Sequence, residues 1–182
     1  VIAVKNHLQQ KGRPVGLVLA KDFYVSQKKH IQEDSFVEFQ VQPTMNMKLD
    51  SEWKDFSDYA EAMKSKYRVR LKKAKKDIHP VHSKVFDVSD IEKHRDTIFS
   101  LYENISNQAD FNTFLLDPFY FEKLKKCLKD ACTFTAYFEN ENMVGFSTTI
   151  VNDGHLHAHF LGYDKTINQR CQLYLNMLYD IV

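Results

Sequence analysis

The chain has 182 residues, 43% hydrophobic and 13% aromatic, which is enough to bury a core, and its 25 Lys+Arg against 24 Asp+Glu leave a formal charge of +1. That balance excludes a polycation that binds nucleic acid with its whole surface, though one basic face is still allowed. Three cysteines, Cys127, Cys132 and Cys171, form no CxxC pair, which excludes a disulfide scaffold and points to a reducing, cytoplasmic setting.

VGLVLA (15–20) follows the turn signal Lys11-Gly12-Arg13-Pro14 and reads as a short buried strand paired with residues 1–4. After a polar loop, Val37, Phe39, Val41, Met45, Met47 and Leu49 alternate with polar residues, the period of a strand, with Pro43 marking an edge or a break. Asp50 or Ser51 is then expected to cap a long helix, because Phe56, Ala60, Met63, Tyr67, Leu71, Ala74 and Ile78 recur at steps of three and four. The rest of that helix carries Lys64, Lys66, Arg68, Arg70, Lys72, Lys73, Lys75 and Lys76. Such a block is either a solvated surface with lysine stems over apolar neighbours or an anion-binding face for a phosphate backbone.

His79-Pro80 ends the helix, KVFDV (84–88) reads as a strand, and Ser89-Asp90-Ile91-Glu92 has the form of a capping box opening a helix with Ile91, Arg95, Ile98, Leu101, Tyr102 and Ile105 on its apolar face. Asp117-Pro118 predicts the start of a further helix with Phe121, Leu124 and Leu128 as its stripe. The period then changes to two. CTFTAYF (132–138), MVGFSTTIV (143–151) and HLHAHFLGY (155–163), joined by Glu139–Asn142 and Asn152-Asp153-Gly154, predict an antiparallel meander. From Asn168 the helical spacing returns with Cys171, Tyr174, Leu175, Leu178 and Ile181. No apolar run approaches the roughly 20 residues that a membrane span needs. The chain begins at Val1 and stops at Ile181-Val182 inside an apolar-periodic helix without a C-cap, so it reads as a piece of a longer protein.

His155, His157 and His159 occupy alternate positions of the last strand and share a face. Alternate strand residues rise about 6.6 Å, so the three span about 13 Å and only neighbours could share an ion. No HxxxH or CxxC supplies a further ligand, and the expected metal is none. His159 lies nearest the carboxyl end of the strand, where a titrating imidazole could handle a proton.

The order of helices, three-stranded meander and final helix, together with WKDFSDYAEAMKSKYRVRLKKAKKD (53–77), DPFYFEKLKKCL (117–128), FTAYFENENMVGFSTTI (134–150) and HAHFLGYDKTINQRCQLYLNML (157–178), resembles the second GNAT-like half of Fem-type peptidoglycan aminoacyltransferases over about residues 37–182. That resemblance implies an α+β fold of the GNAT acyl-CoA N-acyltransferase type, a mostly antiparallel mixed sheet flanked by helices and incomplete at its C-terminus, with residues 1–36 ending a preceding half. It implies transfer of an acyl or aminoacyl group to an amine, with no tightly bound cofactor and an acyl-CoA or aminoacyl-tRNA as donor. Under it, His159, Tyr163 and Tyr137 are the catalytic candidates. Phe160, Leu161, Gly162, Lys165, Gln169 and Arg170 would line the donor, and Lys66, Arg68 and Arg70 would meet a tRNA backbone. The loop DKTINQRCQLYL lacks the glycine-rich turn that holds coenzyme A pyrophosphate in ordinary GNAT enzymes, which favours a different polyanionic donor. The rival reading is a catalytically silent module of the same fold that binds a polyanion or a cell-wall precursor, and a homo-oligomer could complete the sheet.

Overall fold

The computed structural model describes residues 2–13, 15, 16, 18, 37, 45–108 and 115–182, and the chain divides into two compact units, 1–50 and 51–182. In the first unit, residues 2–10 are not a strand. They form helix α1 (Ile2–Gln10), closed by Gly12 at φ +68° with Arg13 N–H donating to Leu8 O at 3.0 Å. This is a glycine-terminated helix end, so the Lys11-Gly12 signal marks a helix stop and leaves nothing for a strand at 15–20 to pair with there. Most of 15–20 and of the predicted strand at 37–49 lies outside the described residues; its last part, 45–50, is irregular, with Met45, Met47 and Leu49 exposed. Alternation makes a strand only where a partner accepts the ladder, and none is present for 45–50 among the described residues.

The second unit is built on one sheet, β1 (Val81–Val85), β2 (Cys132–Glu139), β3 (Asn142–Asn152) and β4 (His155–Tyr163), in the order β1-β2-β3-β4 with every pairing antiparallel. The meander is as predicted, down to the β3–β4 turn, where Asp153 (φ 48°) and Gly154 (φ 72°) both take the left-handed conformation that a two-residue hairpin loop requires. The first strand starts and ends three residues earlier than predicted. Asp87 caps a helix instead of continuing it, its carboxylate accepting from Asp90 N–H at 2.8 Å.

The long helix expected from 51 is two helices, α2 (Phe56–Ala62) and α3 (Ser65–Asp77). Asp55 caps the first, and Met63 and Lys64 turn extended, at ψ 145° and 144°. The carbonyls freed by the break are taken by one side chain: Arg68 donates to Glu61 O at 2.8 Å and Met63 O at 2.6 Å. A periodic apolar stripe cannot reveal such an interruption, because the stripe runs on across it. The next predicted helix is likewise split, into α4 (Val88–Lys93) and α5 (Arg95–Ser106), at His94, whose ring stacks on Phe86. Helix α6 (Tyr120–Leu128) starts two residues after Pro118, with Asp117 accepting from Phe119 N–H at 2.9 Å, and leads through a 3₁₀ turn at 129–131 into β2.

The C-terminal helix is α7 (Lys165–Cys171), capped by Asp164, and α8 (Leu173–Ile181), separated by Gln172 at φ 54°, ψ 44°. That single left-handed residue rotates α8 relative to a continuous helix. Leu173, Asn176 and Met177 therefore go inward in place of the predicted Tyr174, Leu175 and Leu178. The Asn176 amide fills the break, donating to Ala74 O (3.1 Å) and Gln172 O (3.1 Å).

Two apolar layers sandwich the sheet. On one side Ile91, Ile98, Leu101, Tyr102 and Phe121 from α4, α5 and α6 close on Phe86, Phe134, Ala136 and Phe146. On the other, Cys171, Leu173 and Met177 from α7 and α8, with Ile78 and Ile167, close on Tyr137, Val144 and Tyr163. Glycine at 162 lets α5 lie directly on β4: a Cβ there would fall 2.6 Å from the carbonyl carbon and oxygen of Leu101. Among the described residues no helix is long and apolar enough to cross a membrane.

Candidate functional site

Strand β4 pairs with β3 on one side and, among the described residues, with no strand on the other. Its ladder is irregular. Ser147 faces Leu161 and Thr149 faces Ala158, so His159 and Phe160 together oppose the single residue Thr148. A strand with one extra residue leaves a backbone unit unpaired, and here a side chain takes the place of the ladder. The Thr148 hydroxyl, on a residue only 1% exposed, donates to Phe160 O and accepts from Phe160 N–H, each at 2.8 Å.

The bulge brings both His159 and Phe160 against Tyr120 of α6, where regular alternation would allow one of them. Tyr120 lies 5.9 Å from each ring centroid, stacked with the imidazole and edge-on to Phe160. The Tyr120 hydroxyl is 3.2 Å from His159 Nε2, and the Thr148 oxygen is 3.4 Å from Nδ1. Burial pushes the Tyr120 phenol above its ordinary pKa, so it stays protonated at neutral pH. The imidazole is thus held at both nitrogens, half-buried, at the edge of the sheet.

The other two catalytic candidates are on the opposite layer. Tyr137 is buried under α8 and donates to Asp180 Oδ2 at 3.2 Å; burial, then the charge of Asp180, moves its phenol far above the ordinary range. Tyr163 packs on Tyr174 at 5.8 Å and is likewise raised by burial. With His159 on the α6 side and both tyrosines among the α7 and α8 residues, the sheet separates them.

The residues expected to line a donor divide similarly. Phe160 joins the aromatic layer with Tyr102 and Phe121, and Gly162 is covered by Leu101, while Leu161 faces Ser147 across the ladder. Lys165 and Gln169 are exposed on α7. Arg170 is engaged with both carboxylate oxygens of Glu139, at 2.6 and 2.8 Å, which holds the guanidinium pKa up. On α3, Arg68 serves the helix break, Lys66 lies over the Tyr67 ring at 4.8 Å, and Arg70 is exposed. Lys73 and Lys75 are paired with Asp77 and Asp180. His155 and His157 have ring centroids 6.2 Å apart, and no group of three metal-ligating side chains occurs among the described residues.

Sequence reasoning did not single out Tyr120 and Thr148. A signal for Thr148 was present: in GFSTTI it shares the parity of Phe146 and Ile150, and a hydroxyl at a core position needs partners. Tyr120 could not be found this way, since its partner lies 39 residues along the chain.

A profile of the FemAB-like family, described as peptidoglycan biosynthesis/recognition, matches residues 7–177. No curated protein matches the sequence. Similar solved structures include an aminoglycoside acetyltransferase from an uncultured soil metagenomic sample, in complex with sisomicin, at 15% identity and TM-score 0.38 over 56% of this chain and 71% of that one. A PaiA N-acetyltransferase of Thermoplasma acidophilum, in complex with coenzyme A, is 10% identical with TM-score 0.37 over 55% of this chain and 72% of its own.

Proposed function

The chain belongs to the FemAB-like family of peptidoglycan biosynthesis and recognition, and from that premise we propose that it transfers an acyl or aminoacyl group from an activated carboxyl donor to an amine, with proton handling at His159. The observation that carries this reading is the imidazole held between Thr148 and Tyr120 on β4, which among the described residues is paired on one side alone. Acyl transfer to nitrogen needs a neutral amine and a place for its proton, and a neutral imidazole supplies the latter near pH 7. It needs no metal.

The donor is an acyl-CoA thioester or an aminoacyl-tRNA. The exposed stretch of α3 that presents Lys66, Tyr67, Arg70 and Lys72 favours a polyanionic one, combining cations with an aromatic ring half open to solvent. Lys165 and Gln169, exposed beyond the end of β4, would add contacts. Tyr163 and Tyr137 are left with packing roles.

The test is a transfer assay with radiolabelled acetyl-CoA and aminoacyl-tRNA as donors and a peptidoglycan stem peptide as acceptor. Label should reach the peptide from one of them and fall about a hundredfold or more in His159→Gln. Binding of the stem peptide without transfer from either donor overturns the enzymatic reading. It would support instead a recognition module, which the packing of Leu101 over Gly162 and of the partly buried Phe160 against the aromatic layer favour.

A further inference from the structure

We infer that Tyr120 is the group that meets the substrate amine, and that His159 acts behind it as the proton acceptor in a tautomer fixed by Thr148; this rests on the transfer reading above. The argument is a count of hydrogens. The Thr148 hydroxyl has one proton, which goes to Phe160 O at 2.8 Å, and one of its lone pairs takes Phe160 N–H at 2.8 Å. Toward His159 Nδ1 the oxygen can then only accept, so Nδ1 carries the hydrogen. Nε2 is left as an acceptor, and the hydroxyl 3.2 Å away is that of Tyr120, which donates to it. Burial of Tyr120 favours the neutral phenol and so the same direction of donation.

With the Tyr120 phenol on its basic nitrogen, the imidazole reaches the amine through that phenol. In the transfer, the amine nitrogen bonds to the acyl carbon and the carbon–oxygen or carbon–sulfur bond of the donor breaks. The amine proton passes to Tyr120 Oη as the Tyr120 proton passes to His159 Nε2. The imidazolium then releases that proton to the leaving oxygen or sulfur, by way of Tyr120 or water, and both side chains return to their starting forms. Tyr120 is the catalytic residue of the pair, and Thr148 is a positioning residue. Among the described residues, titratable groups facing the pair include Tyr102 of α5, Cys132 of β2 and His157 two residues back on β4; burial raises the Cys132 thiol, so it stays neutral.

Two measurements test this. Long-range proton–nitrogen correlation spectra of the unliganded protein report the His159 tautomer without any substrate. Wild type should show Nδ1–H, Thr148→Ser should keep it, and Thr148→Val should shift the population toward Nε2–H. In the transfer assay, Tyr120→Phe should lower kcat about a hundredfold with KM unchanged, and Tyr120→Phe/His159→Gln should be no slower than the worse single variant, because the two share one path. Melting temperatures show which variants fold, and the Thr148 pair tests the tautomer even if Tyr120→Phe does not. An Nε2–H tautomer in wild type, or Tyr120→Phe at wild-type kcat, overturns the relay. If wild type transfers nothing from either donor, the transfer reading fails before any variant is made and the catalytic role of Tyr120 falls with it, while the tautomer result still describes the hydrogen bonds.

Discussion

Gly162 and Gly145 are both strand glycines with close neighbours, yet the neighbours differ in how far they can yield. At Gly162 the obstacle is main chain, the Leu101 carbonyl of α5 2.6 Å from an added Cβ, with the Phe146 ring equally close. At Gly145 the closest obstacle is the terminal methyl of Met177, on a rotatable side chain, with a Leu173 methyl at 3.1 Å and the Gly162 carbonyl oxygen at 3.2 Å. Gly162→Ala should therefore lower unfolding free energy by about 3 kcal/mol and Gly145→Ala by about 1 kcal/mol, measured as urea midpoints. Similar losses at both sites would mean that α5 can shift off β4. The sequence suggested a donor-lining role for Gly162 and did not disclose its packing against α5: a glycine pattern records that a side chain is forbidden, not what forbids it.

The helices of the second unit are interrupted at points with specific backbone settings, and these settings make predictions. Lys129 closes α6 at φ 48°, ψ −118°, a combination that costs an L-residue and suits glycine. Lys129→Gly should raise stability by about 1 kcal/mol, read from the melting curve, since the Lys129 backbone carbonyl that accepts from Lys125 is retained. His94, between α4 and α5, is stacked on Phe86 and edge-on to Phe138, and burial first, then Lys93, lowers its pKa below the ordinary 6.5. A base whose folded pKa is depressed is protonated more readily in the unfolded chain. Stability should therefore fall as pH drops below 6.5 toward the folded pKa and level off beneath it, and His94→Gln should remove that part of the slope in urea melts between pH 7 and 5. Element type was largely legible in the sequence, the β3–β4 hairpin most of all, because Asp-Gly fixes the turn and alternation fixes the faces. The breaks at Met63, His94 and Gln172 were not legible. Each is accompanied by a particular side-chain partner (the Arg68 guanidinium, the Phe86 ring, the Asn176 amide) that the apolar periodicity does not announce. The same limit hid half the candidate site: His159 stands out by its position, whereas Tyr120 reaches it only after α6 is folded onto the sheet.

For the whole molecule, a net charge of +1 conceals an uneven use of the basic residues. Arg68 is structural, Arg170, Lys73 and Lys75 are paired, and Lys66, Arg70 and Lys72 are exposed on α3. Arg68→Gln should lower the melting temperature by several degrees, because two carbonyls at the α2–α3 break lose their donor. Lys66→Gln/Arg70→Gln should leave it in place while weakening tRNA retention and reducing the slope of log affinity against log salt by about 1 to 2. Unchanged salt dependence would return that face to ordinary solvation. The extra residue at 159–160 reaches beyond the imidazole it positions. An open sheet margin is a template on which other chains can stack, and the hazard grows with the length of its flat, regular run. The bulge between Ala158 and Leu161 interrupts the regular run of β4, which among the described residues has no strand on its outer side. The same threonine hydroxyl that touches His159 also closes the ladder at the bulge, taking up both the N–H and the carbonyl of Phe160.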